Sequence, residues 1–411
     1  MNRRNLAATV TVHGAACLLL SYGGDAPALS NDRVKLSAGE SVTHDDNVFR
    51  LPRGSDPVIA LGTRDKDDTY HTTSLGLVFD VPTGAQRYRG ELAFDRHRFD
   101  RFGTLDVDGH RAAFDWLFSD QQRFSANVGH EQSRRLASMS NIQGGAQSTV
   151  PNLIDYDQTH AHAVFAATAR WHVTTEISRS VQTNTAPIYA VSDLRARIGT
   201  LELAYVTPAE TRIGIRARTV AGELPNHQLI GTRLVDNSYD QRHVDAFIEW
   251  QTSPHSKLDA RIGRVERTHA ELSARDDDIL TWRAAYAWQP ADTLALTGIM
   301  QRDISTTEEI NVGFVLIESL GLETRWQPAE RVDLTLDLAR GDRSYRGEPL
   351  FALGLTPRRS ERVNHVAVGA VVKLTPVVTL DCQWQHEWRT SSLPGGSYRV
   401  GVAGVGVRFS F

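Results

Sequence analysis

Three features of the sequence predict an all-β chain, a transmembrane antiparallel up-and-down β-barrel of about 18 strands, with 16 as the fallback count. Segments alternating polar and apolar residues fill most of its length. A hairpin with an aromatic just before a short, proline-bearing turn keeps recurring, and the last alternating segment stops on Phe411. Successive residues of a strand face opposite sides of a sheet, so each segment is apolar on one face only.

Composition permits this fold and excludes its helical rival. Of 411 residues 41% are hydrophobic, and mean hydropathy is −0.33. Past the N-terminus no run approaches the roughly 20 apolar residues a membrane helix needs. A barrel passes that test because only alternate residues meet lipid. The formal net charge of −4 gives no whole-chain signal for nucleic acid. Only Lys35, Lys66, Lys257 and Lys373 are lysines, so the basic side chains are almost wholly arginine.

The first element is an export leader over residues 1–28. Arg3 and Arg4 precede a mostly apolar run from Leu6 to Leu20, and Ala26-Pro27-Ala28 supplies small residues for cleavage before Leu29. Cys17 lies inside the apolar run, which argues against lipidation. With the leader gone only Cys382 remains, so no disulfide can form within the chain. Residues 29–411 are expected to form the barrel, opening with a strand near Arg33–Thr43.

The hairpins follow. Trp288-Gln289-Pro290-Ala291-Asp292 and Trp326-Gln327-Pro328-Ala329-Glu330 are the clearest copies; Tyr205 to Pro208, Trp250 to Pro254 and Leu374 to Pro376 are looser. From Pro208 to Pro376 these prolines fall 36 to 48 residues apart, which suits two strands of about 10 residues with one tight and one long connection. Tyr205, Trp250, Trp288 and Trp326 would form one interfacial girdle. Short turns are expected near Pro82–Gln86, Ser119–Gln122, Arg170–His172, Thr207–Glu210, Thr252–Ser256, Gln289–Asp292, Gln327–Glu330 and Thr375–Val377. Long loops are expected near His44–Thr69, Arg134–Asp157, Gly222–Asp240 and Asp342–Glu361.

The last strand carries Val405, Val407, Phe409 and Phe411 on one face. Its ending resembles the closing strand of bacterial outer-membrane barrels, whose terminal aromatic is read by the insertion machinery. The resemblance covers Gly406, Phe409 and Phe411.

No catalytic pattern stands out: Gly-x-Ser-x-Gly, Cys-x-x-Cys, His-Glu-x-x-His and a phosphate-binding glycine loop are all missing from the sequence. Nothing calls for a cofactor or a metal. His160 and His162 share a strand face that could hold an ion, and Asp65 to Asp68 and Asp276 to Asp278 could bind Ca²⁺, but solvated or lumenal side chains are the ordinary explanation. The polar strand faces are the better candidates. If the apolar faces meet lipid, Arg212, Arg216, Arg218, Arg261, Arg283 and Arg331 point into the lumen with Glu202, Asp333 and Asp337. Such a wall offers hydrogen bonds to anionic or hydroxylated solutes, unless its opposite charges simply satisfy one another.

The stretch His44-Asp45-Asp46-Asn47-Val48-Phe49-Arg50-Leu51-Pro52 resembles the Asp-x-Asn-(Val/Leu)-Phe-Arg signature that opens the EpsL-type outer-membrane barrels of exopolysaccharide operons. Arg87-Tyr88-Arg89, Asp106 to Arg111 and Tyr345-Arg346-Gly347 extend the likeness along the chain. That family accompanies polysaccharide-building clusters with exosortase-type sorting. The resemblance implies an outer-membrane conduit or accessory for exopolysaccharide export in a Gram-negative bacterium, with no catalytic residues. Its implied partners are the exopolysaccharide, outer-membrane lipids, the barrel-insertion machinery and periplasmic components of polysaccharide export, but no nucleic acid. A general or sugar-selective uptake porin is the alternative, and a barrel enzyme acting on lipid or polysaccharide a third.

Overall fold

The computed structural model describes residues 33–139, 150–230, 232–305, 314–347 and 359–411, together with the short pair Ile142–Gln143 and Ala146–Gln147. The leader expected over residues 1–28 lies outside the described residues. Eighteen strands form one sheet. They are β1 (Val34–Asp45), β2 (Asp68–Thr83), β3 (Gln86–Phe99), β4 (Val107–Ser119), β5 (Phe124–Leu136) and β6 (Leu153–Ala166). Next come β7 (Trp171–Asn184), β8 (Leu194–Val206), β9 (Arg212–Glu223), β10 (Tyr239–Ser253), β11 (Ser256–His269) and β12 (Asp277–Ala291). The last six are β13 (Leu294–Ser305), β14 (Phe314–Ala329), β15 (Val332–Arg346), β16 (Ser360–Lys373), β17 (Val378–Ser391) and β18 (Tyr398–Ser410). Each strand pairs antiparallel with the next, and β1 pairs with β18 from Ser37–Ser410 to Asp45–Val402. The sheet is closed, so no edge is left with unpaired backbone in the bilayer. At the seam the Phe411 N–H donates to the Leu36 carbonyl at 2.8 Å, and the Leu36 N–H returns a bond of 3.0 Å.

All eight short turns fall at one end of the barrel, and seven match the expected positions; the one expected at Arg170–His172 lies at residues 167–170, because β7 already begins at Trp171. Gly84 and Glu210 adopt φ of +61° in two of them, and Gln121 adopts +60° in a third. In that third turn the Asp120 carboxylate accepts the N–H groups of Phe124, Gln122 and Arg123, each at 2.8 Å. Those donors, Phe124 first, hold its carboxyl below the usual carboxylate range. The opposite end carries the longer connections, including the four expected long loops. The 224–238 connection contains a small hairpin of Gln228–Ile230 with Arg233–Val235.

Alternation sorts the side chains into two faces. Leu201, Ile215, Val244, Ile262, Leu320 and Phe409 point outward and are exposed. At the short-turn end the outer face carries aromatics on most strands, among them Trp116, Phe165, Trp171, Tyr286 and Phe409 beside Tyr205, Trp250, Trp288 and Trp326. Above them the outer residues are mainly apolar and then turn charged. Eight residues separate Trp171 from Arg179, Tyr205 from Arg197, Trp250 from Arg242 and Trp326 from Glu318. Eight strand residues tilted by about 40° climb roughly 20 Å, close to the apolar band of an outer-membrane barrel. Glu40 departs from this pattern; it faces outward, and its carboxylate accepts the Thr73 hydroxyl at 2.7 Å.

Candidate pore wall and mouth

The inner wall carries arginine–carboxylate pairs from one end to the other. On β8 to β13, Arg212 is bonded to Glu202 and reaches Glu249 at 2.5 Å, with its guanidinium over the Phe247 ring at 5.2 Å. Arg216 meets Asp245 at 3.1 Å, Arg261 meets Asp303 at 2.7 Å, and Arg283 meets Asp259 at 3.5 Å. Cross-strand register explains two of these contacts, because Arg212 sits opposite Glu249 and Arg216 opposite Asp245; Arg212 reaches Glu202 diagonally, since Glu202 lies opposite Arg216. Elsewhere Arg111 bridges Glu91 and Glu131, Arg325 pairs with Asp333 at 3.1 Å, and Arg408 pairs with Asp381 at 3.1 Å.

Arg212, Arg216, Arg218, Arg261 and Arg283 thus stand together on the inner face of β9, β11 and β12, while Asp333 and Asp337 face the same lumen from β15. Arg331 does not join them. It lies in the turn before Val332, exposed at the short-turn end, because the alternation read from sequence was extended one residue past the strand. Some inner charges make no close ion pair. Arg218 has no ion-pair partner among the described residues; its cross-strand neighbours are Thr200 and His243. Asp95 on β3 and the directly opposed Glu323 and Asp337 on β14 and β15 also make no ion pair among the described residues. A cation outside any ion pair on one side and carboxylates outside any on others give the lumen a transverse field. Replacing Arg218 with glutamine should shift the reversal potential of the channel toward cation preference while leaving the barrel folded. An unchanged reversal potential in a salt gradient would show that this side chain does not line the ion path.

His160 and the acidic loop runs are otherwise engaged. His160 and His162 face inward, with His160 Nε2 at 2.8 Å from Asn127 Oδ1 and 3.2 Å from Asp115. Among the described residues no three metal-ligating side chains converge. Asp67 pairs with Arg101, Asp68 accepts the Arg101 and Phe102 N–H groups, and Asp278 pairs with Arg264.

The long-loop end holds buried clusters that alternation alone does not announce. Inner residues there would be wet in an open tube, yet Arg267 and Arg389 are each only 2% exposed. Arg267 stacks 3.5 Å above the Tyr239 ring and 5.0 Å from Phe314. Gly222 makes room for that ring, since a Cβ there would lie 2.3 Å from it. Close by, Arg275 joins three connections by bonding to Gly347, Asn237 and Gln228. Desolvation pushes its guanidinium down to about 10. On the neighbouring strands, Glu361 accepts Arg389 at 2.5 Å, Arg359 and Tyr345 at 2.7 Å each, and Ser391 at 3.0 Å.

The N-terminal motif extends this second cluster. Arg50, at φ +55°, bonds Asp45 at 2.8 Å and the Asn47 carbonyl at 2.6 Å. Asn47 bonds Leu51 in both directions and donates to the Arg399 carbonyl of β18 at 2.9 Å. Val48, Phe49 and Leu51 then pack on Leu105, with Phe102 and Met139 alongside. The motif therefore ties the first long loop to the closing strand and seats an apolar plate over β3 to β5. Tyr345 and Gly347 of the late motif are members of the same mouth structure, which gives these short sequence likenesses a packing role.

A family model described as "Putative beta-barrel porin 2" matches residues 249–411. Among curated proteins, none matches the chain. Among solved structures, a BenF-like porin from Pseudomonas fluorescens Pf-5 is similar at TM-score 0.51 and 10% identity, covering 92% of this chain and 99% of that one. The outer membrane protein OpdK from Pseudomonas aeruginosa is similar at TM-score 0.50 and 11% identity, with the same coverage. At such identities the likeness concerns the fold. The closed barrel, its apolar outer band and its aromatic ring make this an outer-membrane β-barrel of a Gram-negative bacterium.

Proposed function

We propose that the protein is a non-enzymatic porin through which small polar solutes, hydroxylated or anionic, diffuse into the periplasm. The observation that carries this reading is the charged inner wall of a closed 18-stranded sheet, a strand number that encloses an aqueous lumen. Arg212, Arg216, Arg218, Arg261 and Arg283 present planar donors along one side, suited to carboxylates and sugar hydroxyls. Buried clusters at the long-loop end would narrow the entrance, which favours small solutes over a polymer. The ring with Tyr205, Trp250, Trp288 and Trp326 would sit at the periplasmic interface, and Gly406, Phe409 and Phe411 would serve as the insertion address.

Exopolysaccharide export is the second reading, favoured by the Asp45-to-Arg50 motif and its likeness to EpsL-type barrels. Swelling of liposomes carrying the refolded protein separates the two. The porin reading expects swelling in small sugars and carboxylates, at rates that fall steeply with solute size. Exclusion of every small solute, combined with loss of polymer secretion in a deletion strain, would replace it with the export reading.

A further inference from the structure

The outer face above the apolar band is a belt of charge, and nearly everywhere that belt is paired. Arg98 meets Asp108 at 2.7 Å, Arg134 meets Asp155 at 2.5 Å, Arg362 meets Asp342 at 2.7 Å, and Arg264 pairs with Asp278. The sector at Arg179 and Arg197 departs from this in a particular way. Arg179 on β7 and Arg197 on β8 stand directly opposite one another in the register, both exposed and facing outward. Neither has an ion-pair partner among the described residues. Like charges placed cross-strand repel, so an anion between them would relieve a standing cost. Arg195 lies on the same face two residues on and holds Glu223 at 3.4 Å.

The surroundings say what kind of anion fits. The row through Arg179 and Arg197 continues across Ala221 to Asp240 and Thr268. Ala221 keeps the middle low, and an open depression of about 360 Å³ results, with arginines at one side and Asp240 and Thr268 at the other. Its level is fixed by the eight residues between Tyr205 and Arg197, at the upper margin of the lipid-facing band. A soluble anion would have no reason to bind there, on the outside of the barrel. A lipid headgroup at the membrane surface would.

The geometry points to a binding site for a phosphorylated glycolipid of the outer leaflet, its phosphate between Arg179 and Arg197 and its sugar hydroxyls toward Asp240 and Thr268. The phosphate gains charge-assisted bonds from two guanidinium groups, and the carboxylate accepts from the sugar. A zwitterionic phospholipid supplies the phosphate without the sugar hydroxyls.

Native mass spectrometry of the refolded full chain with bis-phosphorylated lipid A tests this. The wild type should keep the lipid through detergent exchange. The Arg179→Gln/Arg197→Gln double variant should keep roughly tenfold less or lower still, and Arg264→Gln, at a paired site in the same belt, as much as the wild type. Lipid A stripped of its phosphates should bind the wild type as poorly as the intact lipid binds the double variant. Heat-modifiable gel mobility certifies that each variant is folded, and Arg197→Gln alone carries the comparison should the double variant fail to fold. Equal retention by folded wild type and variant would overturn the site. So would displacement of the lipid by an equal concentration of inorganic phosphate, which would assign the arginines to a free anion.

Discussion

Replacing Glu361 with alanine is expected to cost the barrel about 3–5 kcal/mol, the largest loss of any single substitution considered. The Glu361 side chain is 0% exposed and receives donors from Arg389, Arg359, Tyr345 and Ser391. Removing it leaves two guanidinium groups in a dry site without their carboxylate, and such charges are costly when unpaired. Glu361→Gln should cost less, because an amide still accepts one or two of those bonds. Urea titration of the refolded protein in lipid vesicles measures both. A change under about 1 kcal/mol for the alanine variant would mean that water enters the cluster and that the mouth is looser than its contacts indicate.

Replacing Leu201 with arginine is expected to destabilise the barrel by about 2–4 kcal/mol, the cost of an arginine on the lipid face near the bilayer midplane. Leu201 is 58% exposed and lies four residues from both Tyr205 and Arg197, at the centre of the apolar band. The substitution removes nothing from a packed core, so its whole effect comes from the solvent around the barrel. That makes it a sharp test of orientation. The same titration reads it, and the loss should disappear when arginine is placed instead at Ser319, on the lumen side opposite Gln301 and Gly341. A neutral Leu201→Arg variant would reverse the assignment of the two faces.

The fold was legible because its two signals are local. Period-two alternation marks each strand, and an aromatic directly before the turn marks four of the short-turn hairpins, so 18 strands and nearly all of the short turns can be placed by reading along the chain. Parity then sorts Arg216 from Ile215 without knowledge of any partner. The same rule misled at Arg331, one residue before β15 begins, since alternation carries no information about where a strand stops. Partners are legible only through register, which depends on turn lengths on both sides. The opposition of Arg179 and Arg197 and the pairing of Arg216 with Asp245 therefore emerge from the folded sheet.

The mouth was the least legible part. Its members come from loops and strand ends far apart in sequence, such as Arg50 with Asp45, Arg389 with Glu361, and Arg275 with Gly347. One signal does exist. Tyr239, Tyr345 and Tyr398 are large aromatics at inward positions near the long-loop ends, where a water-filled tube would favour polar side chains. A buried aromatic at an inward position implies that something covers it. The Asp45-to-Arg50 motif carried a family resemblance in the sequence, whereas in the fold it is a loop anchor. Its presence thus bears on how the mouth is built and leaves the direction of transport to the inner wall.

The central claim, a water-filled path along that wall, is tested most directly by planar-bilayer recording of the refolded chain. The account predicts discrete, stable conductance steps with ohmic current at low voltage, from protein whose gel mobility is heat-modifiable. Protein that is folded and inserted by that criterion yet passes no current would contradict it, and would make the mouth clusters a permanent seal.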